Sequence, residues 1–278
     1  MTSTPFLVIG AMKSGTTSLE AALLDHPDVG LAAPKETTLF SGGPLQADAV
    51  RGFSQPGVLA AGEVSTGYMQ RPDVPSSPEQ AREHLGDEAR VIAVLRHPVA
   101  RAESHWRHWE QLGRNDVGLA QAVVDPDGPY IAYSRYWMQL QPWLDAFGHA
   151  RLLPLRMEDL IDSPAATIEQ VESFLGVPLT GREAIPRLNT ADDRVVARGL
   201  GSTVRMSAPY RLLKPLVPAS LRRRGALLLG GQRGGAETAP PTDEVRRRCA
   251  EILAPDMAAL RATWPHLTWN EIDKESTA

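Results

Sequence analysis

The sequence predicts an α/β fold, a central parallel sheet flanked by helices, and three observations carry that prediction. An apolar strand at 6–10 runs through a glycine-bracketed loop into a helix at 16–25. Short apolar runs then alternate with helix-period segments until about residue 188, the order that builds parallel β–α–β units. Basic residues also stand where strands end, Lys13 after the first and Arg96 after Val91–Leu95. The carboxyl ends of parallel strands are where such sheets bind ligands.

The first element is Phe6-Leu-Val-Ile-Gly10, followed by a loop closed by Gly15. Leu19, Ala22 and Leu23 share one helical face beyond it, and Asp25-His26-Pro27 ends the pattern. Backbone N–H groups delivered at a helix N-terminus cradle anions, phosphate above all. Lys13 adds charge, and Ser14, Thr16, Thr17 and Ser18 add hydroxyls. The loop is P-loop-like without being an ATPase loop. In G-x-x-x-x-G-K-[ST] the lysine follows the second glycine, whereas Lys13 precedes Gly15. Arg96 likewise takes a strand end where a Mg²⁺-dependent phosphoryl transferase needs an acidic residue. The pair suits a polyanion bound without metal.

The remaining elements follow in order. A loop runs from the end of the first helix through Pro34-Lys35-Glu36, and the glycine- and proline-rich stretch 41–57 reads as irregular surface. Leu59–Ser65 predicts a short strand and 78–86 a helix ahead of strand 91–95. Val99, Ala102, Trp106 and Trp109 mark one face of a helix after Pro98, and Tyr136, Leu140, Trp143, Leu144 and Phe147 mark another. At helical spacing these aromatic residues, Trp137 among them, read as core. Leu152–Leu155 should be an edge or interrupted strand, because Pro154 cannot donate to a ladder. Ser163-Pro164 is an N-cap and N1 pair opening a helix with Ile168, Val171, Phe174 and Leu175. Residues 205–224 are basic, 230–241 form a glycine-rich loop, and 242–262 make a final helix. The expected organisation is one domain over 1–278, with a core at 6–200 and a basic helical extension at 201–278.

Length permits a full core. A net charge of −4, from 29 basic and 33 acidic residues, argues against a general nucleic-acid binder. A single cysteine, Cys249, excludes an intrachain disulfide framework and fits a reducing compartment. No signal peptide is evident, and no stretch approaches the roughly 18–20 apolar residues of a membrane span. A soluble, cytoplasmic protein is the expectation, and the Ala-, Arg- and Pro-rich usage fits a bacterial source. Oligomeric state is not set by the sequence.

At these residues the chain resembles the sulfotransferases that use 3'-phosphoadenosine 5'-phosphosulfate (PAPS), in particular their carbohydrate and heparan-sulfate branch. Gly10–Leu19 is similar to their 5'-phosphosulfate loop, and Leu95–Trp106 to their 3'-phosphate motif. Tyr136–Leu144, Glu158-Asp159-Leu160 with Phe174–Val177, and the tail near Leu267-Thr268-Trp269 add to the likeness. The resemblance implies PAPS as donor, PAP as product and no metal. It assigns Lys13 to charge compensation on the departing phosphate, and Arg96 and Ser104 to the 3'-phosphate. It makes Glu36, in Ala33–Phe40, the candidate general base, a role that needs burial or a neighbouring negative charge to strengthen an otherwise weak base. The rival for Glu36 is a loop carboxylate paired with Lys35.

Other branches of the family use histidine as base. His97, His105 and His108 lie on the 3'-phosphate side and read as structural. Glu63, Ser65 and Tyr68 match part of a stretch that often reads Glu-Lys-Ser, with Val64 in place of the lysine. Arg101 reads as an ordinary helix charge, Arg135 as a possible lining residue, and Arg198 or Arg194 as a residue closing over the nucleotide. Arg205, Arg211, Lys214 and Arg222–Arg224 read as a solvated basic face, open also to an anionic acceptor or membrane surface. The implied partner is a small-molecule or glycan acceptor, such as a sugar, glycolipid or glycosylated natural product. Two alternatives stand beside this reading: a kinase-like phosphoryl transferase, and a non-catalytic nucleotide-binding scaffold.

Overall fold

Strands rich in Val, Leu, Ile and Ala on both faces need covering on both sides, and the fold meets that need. The computed structural model describes residues 3–45, 49–185, 195–196, 232–233 and 240–269. Its main sheet comprises β1 (Thr4–Gly10), β2 (Val29–Leu31), β3 (Ala60–Val64), β4 (Arg90–Leu95) and β5 (Leu152–Arg156). The order is β2-β3-β1-β4-β5, and every pairing is parallel. Around it lie α1 (Thr16–Leu24), α2 (Pro78–Leu85), α3 (Pro98–Gln111), α4 (Leu119–Ala122), α5 (Pro129–Ala132), α6 (Tyr136–Phe147), α7 (Met157–Asp162), α8 (Pro164–Leu175) and α9 (Asp243–Thr263).

The period of two along each strand divides the core. Phe6, Val8, Ile92 and Val94 pack with Leu19 and Leu23 of α1 and with Ile168, Val171 and Leu175 of α8. Leu7, Ile9, Val91, Ala93 and Leu95 face the other way, onto α3, α6 and α9. Trp143 and Tyr136 are fully buried and Trp106 nearly so, while Trp109 and Trp137 pack partly buried against the same core, as their spacing predicts. The final helix, expected as an extension, sends Leu253, Met257 and Leu260 into that core.

This division places the site. β1 and β4 are neighbours, but the chain leaves β1 toward α1 on one face and β4 toward α3 on the other. Diverging connections open a crevice at the carboxyl ends of the two strands. Lys13 and Arg96 both stand there.

Two expectations need correction. The first concerns β2, a three-residue edge strand too short to give a sequence signal. The second concerns 41–57, which contains a 3₁₀ turn at Ala49–Phe53, and Phe53 is buried against Phe40 with ring centroids 5.9 Å apart. Strand β5 lies at the sheet edge, where Pro154 is tolerated. Ser163 occupies the N-cap of α8, but its hydroxyl makes no capping bond. Among the described residues, no helix is long and apolar enough to cross a membrane.

Candidate active site

The loop after β1 is held tightly at both ends. Ala11 N–H donates to Val94 O at 2.7 Å, tying the loop to β4, and Ser14 N–H returns to Ala11 O at 3.2 Å. Two residues take the left-handed region, Lys13 at φ 72° and Gly15 at φ 86°. Gly15 suits that conformation, and a Cβ there would stand 3.2 Å from Met157 Cγ. Lys13 holds it at a cost of about 1 kcal/mol or more, the kind of strain functional sites retain. Gly15 is also the N-cap of α1, and no side-chain oxygen caps that helix. Its leading N–H groups open at the crevice without a side-chain cap, an arrangement that suits an anion. Thr16 and Ser14 are buried beneath the loop, whereas Lys13, Thr17 and Ser18 are half-buried.

Arg96 leaves the end of β4 on a backbone fixed from behind. The Tyr136 hydroxyl donates to Arg96 O at 2.8 Å and accepts from Arg96 N–H at 3.3 Å. Burial raises the Tyr136 pKa to about 12, so the proton that makes the first bond stays in place. Ser14 lies beside the same hydroxyl, so one buried tyrosine underlies both halves of the site. Among the described residues, the guanidinium of Arg96 and the hydroxyl of Ser104 have no hydrogen-bond partner. Ser104 lies two turns into α3, on the face shared with His97 and Arg101.

Glu36 stands in a loop docked onto the end of β3, the strand that pairs with β1 on the side away from β4. Its N–H reaches Val64 O at 3.4 Å, and Thr38 N–H donates to Ser65 Oγ at 3.2 Å. The carboxylate accepts from Thr66 N–H at 2.7 Å and from the Thr66 hydroxyl at 3.1 Å. Glu36 and Thr38 are both left-handed, at φ 59° and 48°. The rival reading, a pairing with Lys35, does not occur, because Lys35 bonds to Glu20 of α1. Glu36 is exposed; the buried carboxylate is Glu63, which receives hydrogen bonds from the Thr37 and Tyr68 hydroxyls. Burial raises the pKa of Glu63; the two hydroxyls oppose that shift, and the charge of Glu36 adds to it.

Arg101 corrects the sequence reading most clearly. It is fully buried, donating through Nε to Ser134 Oγ at 2.7 Å and through Nη2 to Tyr130 O at 2.6 Å. Desolvation lowers its pKa to about 10. His105 packs beside it against Trp109, Tyr130 and Tyr133. Its pKa falls to about 2, first through burial and then through the charges of Arg101, His108 and Lys13. His97 caps α3 through Nδ1. Arg194, Arg198 and the basic cluster from Arg205 to Arg224 lie outside the described residues. Sequence reasoning missed Asp256 of α9, whose carboxylate accepts from Trp137 and Met138 N–H at 2.9 Å each, capping α6 from a distant helix. A lone acidic residue in a long helix gives no sign of that task.

With this geometry in view, the likenesses to known proteins can be stated. The family described as "Sulfotransferase domain" matches residues 3–192. The bifunctional heparan sulfate N-deacetylase/N-sulfotransferase 2 of Bos taurus is 27% identical over 197 residues, covering 62% of this chain and 22% of that protein. The heparan sulfate glucosamine 3-O-sulfotransferase 3B1 of Mus musculus is 26% identical over 183 residues, covering 62% and 45%. The chain thus spans about a fifth of the length of the first of these relatives and under half of the second. A sulfotransferase crystal structure from Alicyclobacillus acidocaldarius superposes with a TM-score of 0.64 at 19% identity, covering 96% of this chain and 98% of that one. It shares the fold. The family match runs over more than half of the chain and takes in the loop after β1, the Arg96 turn and the Glu36 loop; the chain belongs to the sulfotransferase domain family.

Proposed function

We propose that the chain transfers a sulfuryl group from PAPS to an acceptor hydroxyl, releasing PAP. One observation carries the reading: two cationic strand ends, Lys13 and Arg96, flank a single crevice, and the helix starting there has no side-chain cap. The residues fit a nucleotide bearing anionic groups at both ends of its ribose. The α1 N-terminus, with Lys13, Thr16, Thr17 and Ser18, would hold the 5'-phosphosulfate. Arg96 and Ser104 would hold the 3'-phosphate.

In this reading Glu36 accepts the proton of the acceptor hydroxyl as the acceptor oxygen bonds to sulfur. The bond from sulfur to the phosphate oxygen breaks, and its electron pair stays on that oxygen. Lys13 offsets the charge developing there, an electrostatic effect commonly worth several kcal/mol. Thr66 keeps the carboxylate of Glu36 in position while leaving it open to solvent and acceptor. The heparan sulfate relatives support a sugar, glycolipid or glycosylated natural product as the acceptor. The cytoplasm, where PAPS is made, is the compartment we assign.

Calorimetric titration with PAP and with ATP tests the donor assignment. Metal-independent binding of PAP in preference to ATP, weakened by Lys13→Ala and by Arg96→Ala, is the expected result. A preference for Mg²⁺-ATP, or PAP binding indifferent to Arg96, would overturn it.

A further inference from the structure

The family match ends at residue 192, yet a segment far beyond it bonds to α3, α6 and α7 on the Arg96 side of the crevice. Arg246 of α9 donates to Glu103 of α3 at 2.9 Å, one residue from Ser104. Asp256 caps α6, whose first residue is Tyr136. After α9 the chain turns back, and Trp269, 5% exposed, lays its indole against the Tyr136 ring with centroids 6.2 Å apart. The indole Nε1–H donates to Glu158 Oε2 at 3.0 Å. The other oxygen of that carboxylate, Oε1, accepts from His97 N–H at 3.0 Å.

These bonds form one chain of support. Trp269 fixes Glu158, Glu158 fixes the His97 amide, and Tyr136, backed by Trp269, fixes both backbone polar groups of Arg96. Every link in it is half-buried or buried, so solvent offers no ready replacement for a lost partner. None of these groups need touch a ligand. We infer that Trp269 and Glu158 are positioning residues for the Arg96 turn, so that the C-terminal segment is a working part of the site for the 3'-phosphate. The inference rests on the assignment of Arg96 to that phosphate.

The test compares PAP with adenosine 5'-phosphate, which lacks the 3' group, by calorimetry on the full chain. A wild-type preference for PAP checks the underlying donor assignment, and its absence would sink that assignment and this inference together. Given the preference, Trp269→Phe keeps an aromatic ring against Tyr136 and removes the N–H donor. Glu158→Gln puts an NH₂ group against one of two donors. Each variant should weaken PAP binding about 3–10-fold, the worth of one well-placed hydrogen bond, and leave adenosine 5'-phosphate binding unchanged. A merely structural role would lower the melting temperature without changing the ratio of the two affinities. Unchanged PAP affinity in both variants, or equal loss for both nucleotides, overturns the inference. Should Trp269→Phe populate unfolded chain at the assay temperature, Glu158→Gln alone decides.

Discussion

Lys13 carries the charge we assign to offsetting the departing phosphate, on a backbone conformation that most residues avoid. Lys13→Ala keeps the strain and removes the ammonium, so the loss should appear in the chemical step. We expect kcat to fall about 10²–10³-fold, read from initial rates at saturating donor. Glu36→Gln should separate differently. It removes proton acceptance but keeps an oxygen for the Thr66 bonds, so kcat should drop about 10²–10⁴-fold while PAP affinity is retained. A Glu36→Gln enzyme with near-normal kcat would remove the carboxylate from the reaction. The two loops were legible in the sequence because glycine and proline mark them, while the roles given to Lys13 and Glu36 rest on the family resemblance. The burial of Arg101 was not legible: an arginine in a helix looks the same whether it meets water or Ser134, and only tertiary packing chooses. Arg101→Ala should cost about 2–4 kcal/mol in urea denaturation, from lost packing and the lost hydrogen bonds to Ser134 Oγ and Tyr130 O.

Strand β3 and the loop docked on it form the element where titration and structure meet. In the folded protein Glu63 holds its proton above its ordinary value near 4.5, and Asp256 above 3.8, both chiefly because burial penalises the charge. A raised carboxylate pKa means the folded state binds more protons than the unfolded one, so stability falls as pH rises through that window. Glu63→Gln does not titrate. Its stability deficit against the wild type should therefore be largest below about pH 4.5 and shrink as pH rises above that value, as read from urea midpoints. A deficit constant with pH would show that folding leaves the Glu63 pKa unshifted. The same strand holds a steric requirement. A Cβ at Gly62 would stand 2.1 Å from Phe6 O in the paired strand, so Gly62→Ala should cost more than about 3 kcal/mol or prevent folding. The sequence showed a strand here and a partial Glu-x-Ser likeness, without showing that Glu63, Thr37 and Tyr68 meet.

At the scale of the molecule, the sequence by itself determined the class of fold, the place of the glycine-bracketed loop and the cationic strand ends. These follow from local periodicity and short-range spacing, which a linear chain displays directly. Strand β2 escaped because three residues cannot establish a period. The tertiary structure alone decided that β1 and β4 become neighbours with diverging connections, so that Lys13 and Arg96 share one crevice. It also decided that α9 joins the central core and that Asp256 and Trp269 reach back across more than a hundred residues to Trp137, Met138 and Glu158. Such pairings are selected by shape and by the cost of leaving buried polar groups unpaired, quantities that exist only once the whole chain has closed around them.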